Sequence, residues 1–138
     1  MKIAICDDDN IFLLNVKFLI NKIYSNPDKL SIYEYESGEQ FLLQFKPQFF
    51  DVIILDIEMC GITGLEVAEE IRKIDKSVIL AFFTSHQEFA TLGYEVNAFR
   101  YILKNQPEHM FINQLKSIFD EYHQSHITFP VQASNEIV

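Results

Sequence analysis

The sequence predicts an α/β fold, a doubly wound parallel sheet with helices on both faces, and three observations predict it. Apolar runs of strand length alternate five times with segments of helical period, the pattern of repeated strand–helix units. Three of those runs, IAIC, VIIL and VILAFF, are solidly apolar, as strands covered on both faces must be. The length of 138 residues, with 49% hydrophobic and 22% charged residues, suits one domain with a sizeable core and excludes a disordered or coiled-coil chain.

Strands are expected at 2–6, 31–35, 52–56, 78–84 and 98–103, the first, third and fourth in the middle of the sheet. The first intervening segment places Phe12, Val16, Leu19, Ile20 and Ile23 on one helical face, and the last does the same with Phe111, Leu115, Ile118, Phe119 and Tyr122. Three capping-box patterns mark helix starts: Ser37 with Gln40, Thr63 with Glu66, and Ser85 with Glu88. Asn105, Gln106 and Pro107 open the last helix, where the missing proline amide is not needed. After Tyr122 a polar break leads into ITFPVQASNEIV, so residues 1–123 are expected to form the domain and 124–138 a linker or the start of something further.

Eleven basic against twenty acidic residues give a net charge of −9, a field that repels phosphate backbones and anionic lipid surfaces. This segment is therefore not expected to bind nucleic acid or membrane. No apolar run approaches the roughly 18 to 20 residues that span a bilayer, and MKIAICDDD turns acidic too early for a signal peptide; a cytoplasmic location is expected. Cys6 and Cys60 form no CxxC or Cys/His cluster, and His86, His109, His123 and His126 show no metal-ligand spacing with the acidic residues, so no chemistry is assigned to either group.

In an open parallel sheet the ligand site lies at the carboxyl ends of the strands. Here the first strand runs into Asp7, Asp8 and Asp9, the third ends in Asp56, the fourth in Thr84 and Ser85, and the fifth runs into Lys104. Carboxylates gathered from neighbouring strand ends repel one another unless a divalent cation sits among them, and an all-oxygen donor set suits magnesium. A lysine and a hydroxyl facing such a metal fit a transferred phosphoryl group, whose charge is spread over three oxygens. The nucleophile this chemistry requires is then Asp56, as an acceptor forming an acyl phosphate. Asp9 is expected to cap the first helix, and Glu58 to place a charge beside the path of attacking water.

From Met1 to about Tyr122 the sequence resembles the receiver domain of two-component response regulators. The resemblance is carried by the acidic pair Asp7 and Asp8 after IAIC, by DVIILDIEM with Asp56, by Gly64 eight residues on, by Thr84 ending the fourth strand, and by Tyr101 three before Lys104. It implies a flavodoxin-like (βα)5 sheet of strand order 2-1-3-4-5. It also implies Asp56 as phosphoacceptor; magnesium bound directly by Asp8 and Asp56, through water by Asp7, and by the backbone carbonyl of Glu58; Thr84 and Tyr101 as the switch pair; and Lys104 as phosphate partner. Such a domain is a regulatory phosphoacceptor rather than an enzyme. Its partners would be a sensor histidine kinase and, on phosphorylation, a second copy meeting it through the face of the fourth helix, fifth strand and fifth helix, where Tyr94, Val96, Arg100 and Tyr101 lie. The IAICDDD start, the AFRYILK segment and ITFPVQASNEIV look most like regulators with a LytTR-type DNA-binding output domain, so DNA would be contacted only through a domain outside this chain. Two positions depart from the family pattern: Cys60 stands where proline is usual, and Asn105 follows Lys104 where the family has a Lys-Pro pair. A free-standing receiver is the alternative. An aspartate-nucleophile phosphohydrolase is a further one, which would want a second aspartate where Glu58 stands.

Overall fold

The computed structural model describes residues 1–126, and describes residues 90–94 by their backbone alone. Five strands form one parallel sheet in the order β2-β1-β3-β4-β5: β1 (Lys2–Cys6), β2 (Ser31–Tyr35), β3 (Val52–Asp56), β4 (Ile79–Thr84) and β5 (Arg100–Leu103). The helices are α1 (Asn10–Ile23), α2 (Gly38–Gln44), α3 (Gly64–Ile74) and α4 (Glu108–Ser125); short 3-10 turns span Pro27–Lys29, and a longer 3-10 segment spans Gln87–Val96. The expected fold class and strand order hold. Both edge strands, β2 and β5, are less buried than β3, every residue of which is buried.

Alternation along the strands divides the core into two layers. Ile3, Ile5, Val52, Ile54, Ala81 and Phe83 face α1 and α4, where they meet Val16, Ile20, Leu115 and Ile118. Ala4, Cys6, Ile53, Leu55, Leu80 and Phe82 face the other way, against Phe41 of α2 and Val67, Ala68 and Ile71 of α3. The helical stripes legible in the sequence are those that pack on the sheet. On the first, Ile11, Leu14 and Phe18 nevertheless remain exposed on the outer face of α1.

Local chemistry fixes the helix starts. Asp9 caps α1, its Oδ1 accepting from the amides of Ile11 and Phe12 at 3.1 Å each. Thr63 and Glu66 form the full reciprocal box at α3. At α2 only half of the box forms: Ser37 accepts from the Gln40 amide at 3.0 Å, while the Gln40 side chain turns to the Glu36 amide at 2.7 Å. The box expected at Ser85 and Glu88 is absent among the described residues, and a 3-10 segment stands where an α-helix was expected. The Ser85 amide that Glu88 would accept from is instead taken by Glu58, at 3.2 Å.

Of the glycines whose surroundings are described, Gly64 stands in the closest approach. A Cβ there would stand 2.2 Å from the carbonyl oxygen of Asp56, so only glycine lets α3 start directly against the end of β3. Its amide donates to Ile57 O at 3.1 Å. Any side chain at this position pushes helix and strand apart beside Asp56.

α4 continues to Ser125, two residues past the expected domain boundary at 123. Of the expected linker, residues 127–138 lie outside those described. No helix among the described residues is long and apolar enough to cross a membrane.

Candidate functional site

The carboxyl ends of β1, β3, β4 and β5 deliver the site. The chain leaves β1 through Asp7, which is fully buried, its amide donating to Tyr35 O at 3.0 Å and its Oδ1 accepting from the Asp9 amide at 2.9 Å. Asp8 turns outward and accepts from the Cys60 amide at 3.0 Å. Cys60 stands where the family has proline, and it supplies an N–H to Asp8 that proline could not. Asp56 ends β3 at 2% exposure and takes a single amide bond, from Glu58 at 3.3 Å.

Asp7, Asp8 and Asp56 each offer a carboxylate oxygen within 4.8 Å of the others. Burial, then the charge of Asp7, push the Asp56 carboxyl from 3.8 up to about 7, although Lys104 and the Glu58 amide pull the other way. An all-oxygen cluster of this kind, crowded enough to resist ionising, fits a hard divalent cation such as magnesium.

Lys104 enters from the end of β5, where its amide extends the ladder by donating to Thr84 O at 2.8 Å. Its Nζ lies 2.7 Å from Asp7 Oδ2 and 3.5 Å from Asp56 Oδ2, and 4.4 Å from the centre of the Phe12 ring. Burial disfavours its charge, but the bond to Asp7 and the charges of Asp7 and Asp56 more than offset this and raise its pKa. Among the described residues there is no cis peptide bond, so Lys104 reaches the cluster through a trans link to Asn105.

Thr84 is 1% exposed, and its hydroxyl proton lies within reach of Glu58 Oε1 at 3.1 Å and His86 O at 3.2 Å. Tyr101 stacks on Phe82 with ring centroids 5.1 Å apart, and its buried hydroxyl has no hydrogen-bond partner among the described residues. Burial raises its pKa. The structure thus brings Asp7, Asp8, Asp56, Thr84 and Lys104 to one edge, with Tyr101 on the neighbouring strand. Of the residues expected at the dimer face, Val96 is 3% exposed and belongs to the core, Arg100 and Tyr101 are half-buried, and the Tyr94 side chain lies outside the described ones.

Sequence reasoning places a charge at Glu58 beside the path of attacking water, but it misses what that carboxylate touches and the part of His86. The Glu58 carboxylate contacts Thr84, Ser85 and, at 3.0 Å from Nε2, His86. His86 had been set aside for lack of metal-ligand spacing. Its place two residues after Thr84, where β4 ends at the site, is the available signal. Cys6 is what it looked like, a buried strand residue: burial, then the charges of Asp7 and Asp56, push its thiol up to about 12.

Residues 3–116 match the model of the response regulator receiver domain. The sensory transduction protein LytR of Staphylococcus epidermidis is 35% identical over 104 residues, 75% of this chain and 40% of that protein. The chain therefore spans about two fifths of the length of that relative. Among solved structures, the response regulatory domain of protein mrkE from Klebsiella pneumoniae is 28% identical with a TM-score of 0.74, covering 90% of this chain and 99% of that one. The response regulator protein TrrA from Thermotoga maritima, in complex with Mg(2+)-BeF, is 30% identical with a TM-score of 0.64, covering 85% and 97%. With a family match over most of its length and a parallel sheet that gathers an acidic cluster at its carboxyl edge, the chain belongs to the response regulator receiver domain family.

Proposed function

We propose that this domain is a phosphorylation-dependent signalling switch in which Asp56 accepts a phosphoryl group from the phosphohistidine of a sensor kinase. The observation that carries the reading is Asp56 itself, buried, short of donors and placed between Lys104 and two further carboxylates. In the transfer an Asp56 carboxylate oxygen forms the new P–O bond as the P–N bond to imidazole breaks, and the imidazole nitrogen keeps the electron pair and takes up a proton. Magnesium would be held directly by Asp8 and Asp56, through water by Asp7 and by the Glu58 carbonyl, and would supply charge neutralisation that lets carboxylates and phosphate share the site.

Lys104 has two roles in sequence. At rest its closer partner is Asp7, at 2.7 Å; after transfer a phosphoryl oxygen offers a full anionic partner. Thr84 gives its hydroxyl to another phosphoryl oxygen. The space it leaves is open to Tyr101, whose hydroxyl has no bond to lose among the described residues. The output of this two-state element is a homodimer through the face of the 3-10 segment, β5 and α4, with Arg100 in the contact. Residues 1–123 are the receiver, and 124–138 lead toward a LytTR-type output domain that binds DNA and regulates transcription in the cytoplasm. The domain acts as a regulated acceptor, with phosphotransfer and self-dephosphorylation as its only chemistry.

Intact-mass measurement after incubation with acetyl phosphate and magnesium tests the reading. One added phosphoryl group is expected, absent in Asp56→Asn and absent with chelator. Full labelling of Asp56→Asn overturns the assignment.

A further inference from the structure

The Glu58 carboxylate has no part in the chemistry above, which uses only the main chain of that residue. Yet it is bound at three points. Oε1 lies 3.1 Å from Thr84 Oγ1 and 3.2 Å from the Ser85 amide, and Oε2 lies 3.0 Å from His86 Nε2. An exposed glutamate beside Asp7, Asp8 and Asp56 has every electrostatic reason to swing away into water. It stays because a buried hydroxyl, a free strand-end amide and an imidazole converge on it.

Those donors also define what else could sit there. Thr84 and Ser85 lie just past the residue of β4 that pairs with Asp56, since Asp56 is in register with Phe83. A tetrahedral oxyanion carried on Asp56 would seek the hydroxyl and the amide at this strand end, and two anions cannot share them.

We propose that Glu58 is a resting-state stand-in for the phosphoryl group: its carboxylate occupies the Thr84 hydroxyl and Ser85 amide, and His86 holds it there. Phosphorylation must then evict Glu58 before Thr84 can turn. This inference rests on the reading of Asp56 as phosphoacceptor. Glu58 and His86 are positioning residues acting through Thr84. Because His86 precedes the 3-10 segment directly, with its carbonyl accepting from the Phe89 amide at 3.2 Å, eviction also releases the anchor of that segment's first turn. His86 Nδ1 faces one more acid, Glu88, at 3.8 Å, which leaves it a resting partner once Glu58 departs.

The test uses the whole chain with Glu58→Ala, Glu58→Gln, His86→Ala and the Glu58→Ala/His86→Ala double variant, titrated with beryllofluoride in saturating magnesium and followed by amide shifts of Thr84 and Lys104. Glu58→Ala should lower the half-saturating concentration about tenfold and His86→Ala about threefold, with Glu58→Gln between wild type and Glu58→Ala. The double variant should match Glu58→Ala alone, because His86 acts only through Glu58. The sign for His86→Ala decides the matter. If Glu58 merely repelled the incoming anion, removing a donor from the site would raise the concentration required, and a raised or unchanged value overturns the proposal. A separate measurement keeps the two readings apart: hydrogen exchange of the Ser85 amide with no phosphate mimic present should speed up at least severalfold in Glu58→Ala. Unchanged exchange overturns the Glu58 contact. A wild type that acetyl phosphate cannot label overturns the phosphoacceptor reading, whatever Ser85 does.

Discussion

Two buried aspartates stand at opposite ends of the sheet and are treated in opposite ways. Asp75, 5% exposed between α3 and β4, accepts from the amides of Gln48, Ser77 and Val78 at 2.9, 3.2 and 3.1 Å and from the Ser77 hydroxyl at 3.4 Å. Asp56, 2% exposed at the end of β3, accepts from one amide at 3.3 Å and shares its neighbourhood with Asp7 and Asp8. A buried carboxylate ringed by donors holds loops together; Asp75 ties the turn before β3, where Gln48 adopts a φ of 64°, to the turn before β4. A buried carboxylate left short of donors among like charges is instead poised for a ligand that brings compensating charge.

The largest expected effect comes from breaking the satisfied member. Asp75→Ala leaves three amides without their acceptor and should cost about 3 kcal/mol, a fall in Tm of roughly 10 °C by thermal denaturation. A variant as stable as wild type would erase the contrast between the two ends.

Asp56→Asn should do the reverse in metal-free protein, raising stability at neutral pH by on the order of 2 kcal/mol. The pH dependence follows from the direction of the shift. The folded carboxyl titrates near 7 against 3.8 for the free group, so the native state binds the extra proton between those values. The stability this supplies is complete below about pH 4 and is lost as pH rises through 7. Denaturant titrations across that window with chelator should show this decline in wild type and a flatter profile in Asp56→Asn, and magnesium should restore most of the wild-type loss at pH 7.

The smallest effect is expected at Tyr101, whose hydroxyl has no partner to lose among the described residues. Tyr101→Phe should keep stability within about 0.5 kcal/mol of wild type by chemical denaturation. A larger loss would mean that the hydroxyl is bonded in the resting protein, and would sharpen where the unsatisfied groups of this edge really lie.

What the sequence by itself determined is what depends on period or near neighbours. The runs IAIC, VIIL and VILAFF had to be central strands because apolar side chains pointed both ways, and Asp9, Ser37 and Thr63 had to cap helices because their acceptors lie two or three residues ahead of the amides they serve. The strand ends then placed Asp7, Asp8, Asp56, Thr84 and Lys104 on one edge. Tertiary structure decided what those groups and their neighbours touch. Lys104 sits closer to Asp7 than to Asp56, and Asp75 finds a donor 27 residues away at Gln48. Glu58 reaches 27 residues to the Ser85 amide and so cancels a capping box that the local pattern supported. Local rules see one acceptor for that amide, Glu88; the folded sheet brings a second carboxylate, Glu58, which Thr84 and His86 also hold, and that one takes the amide.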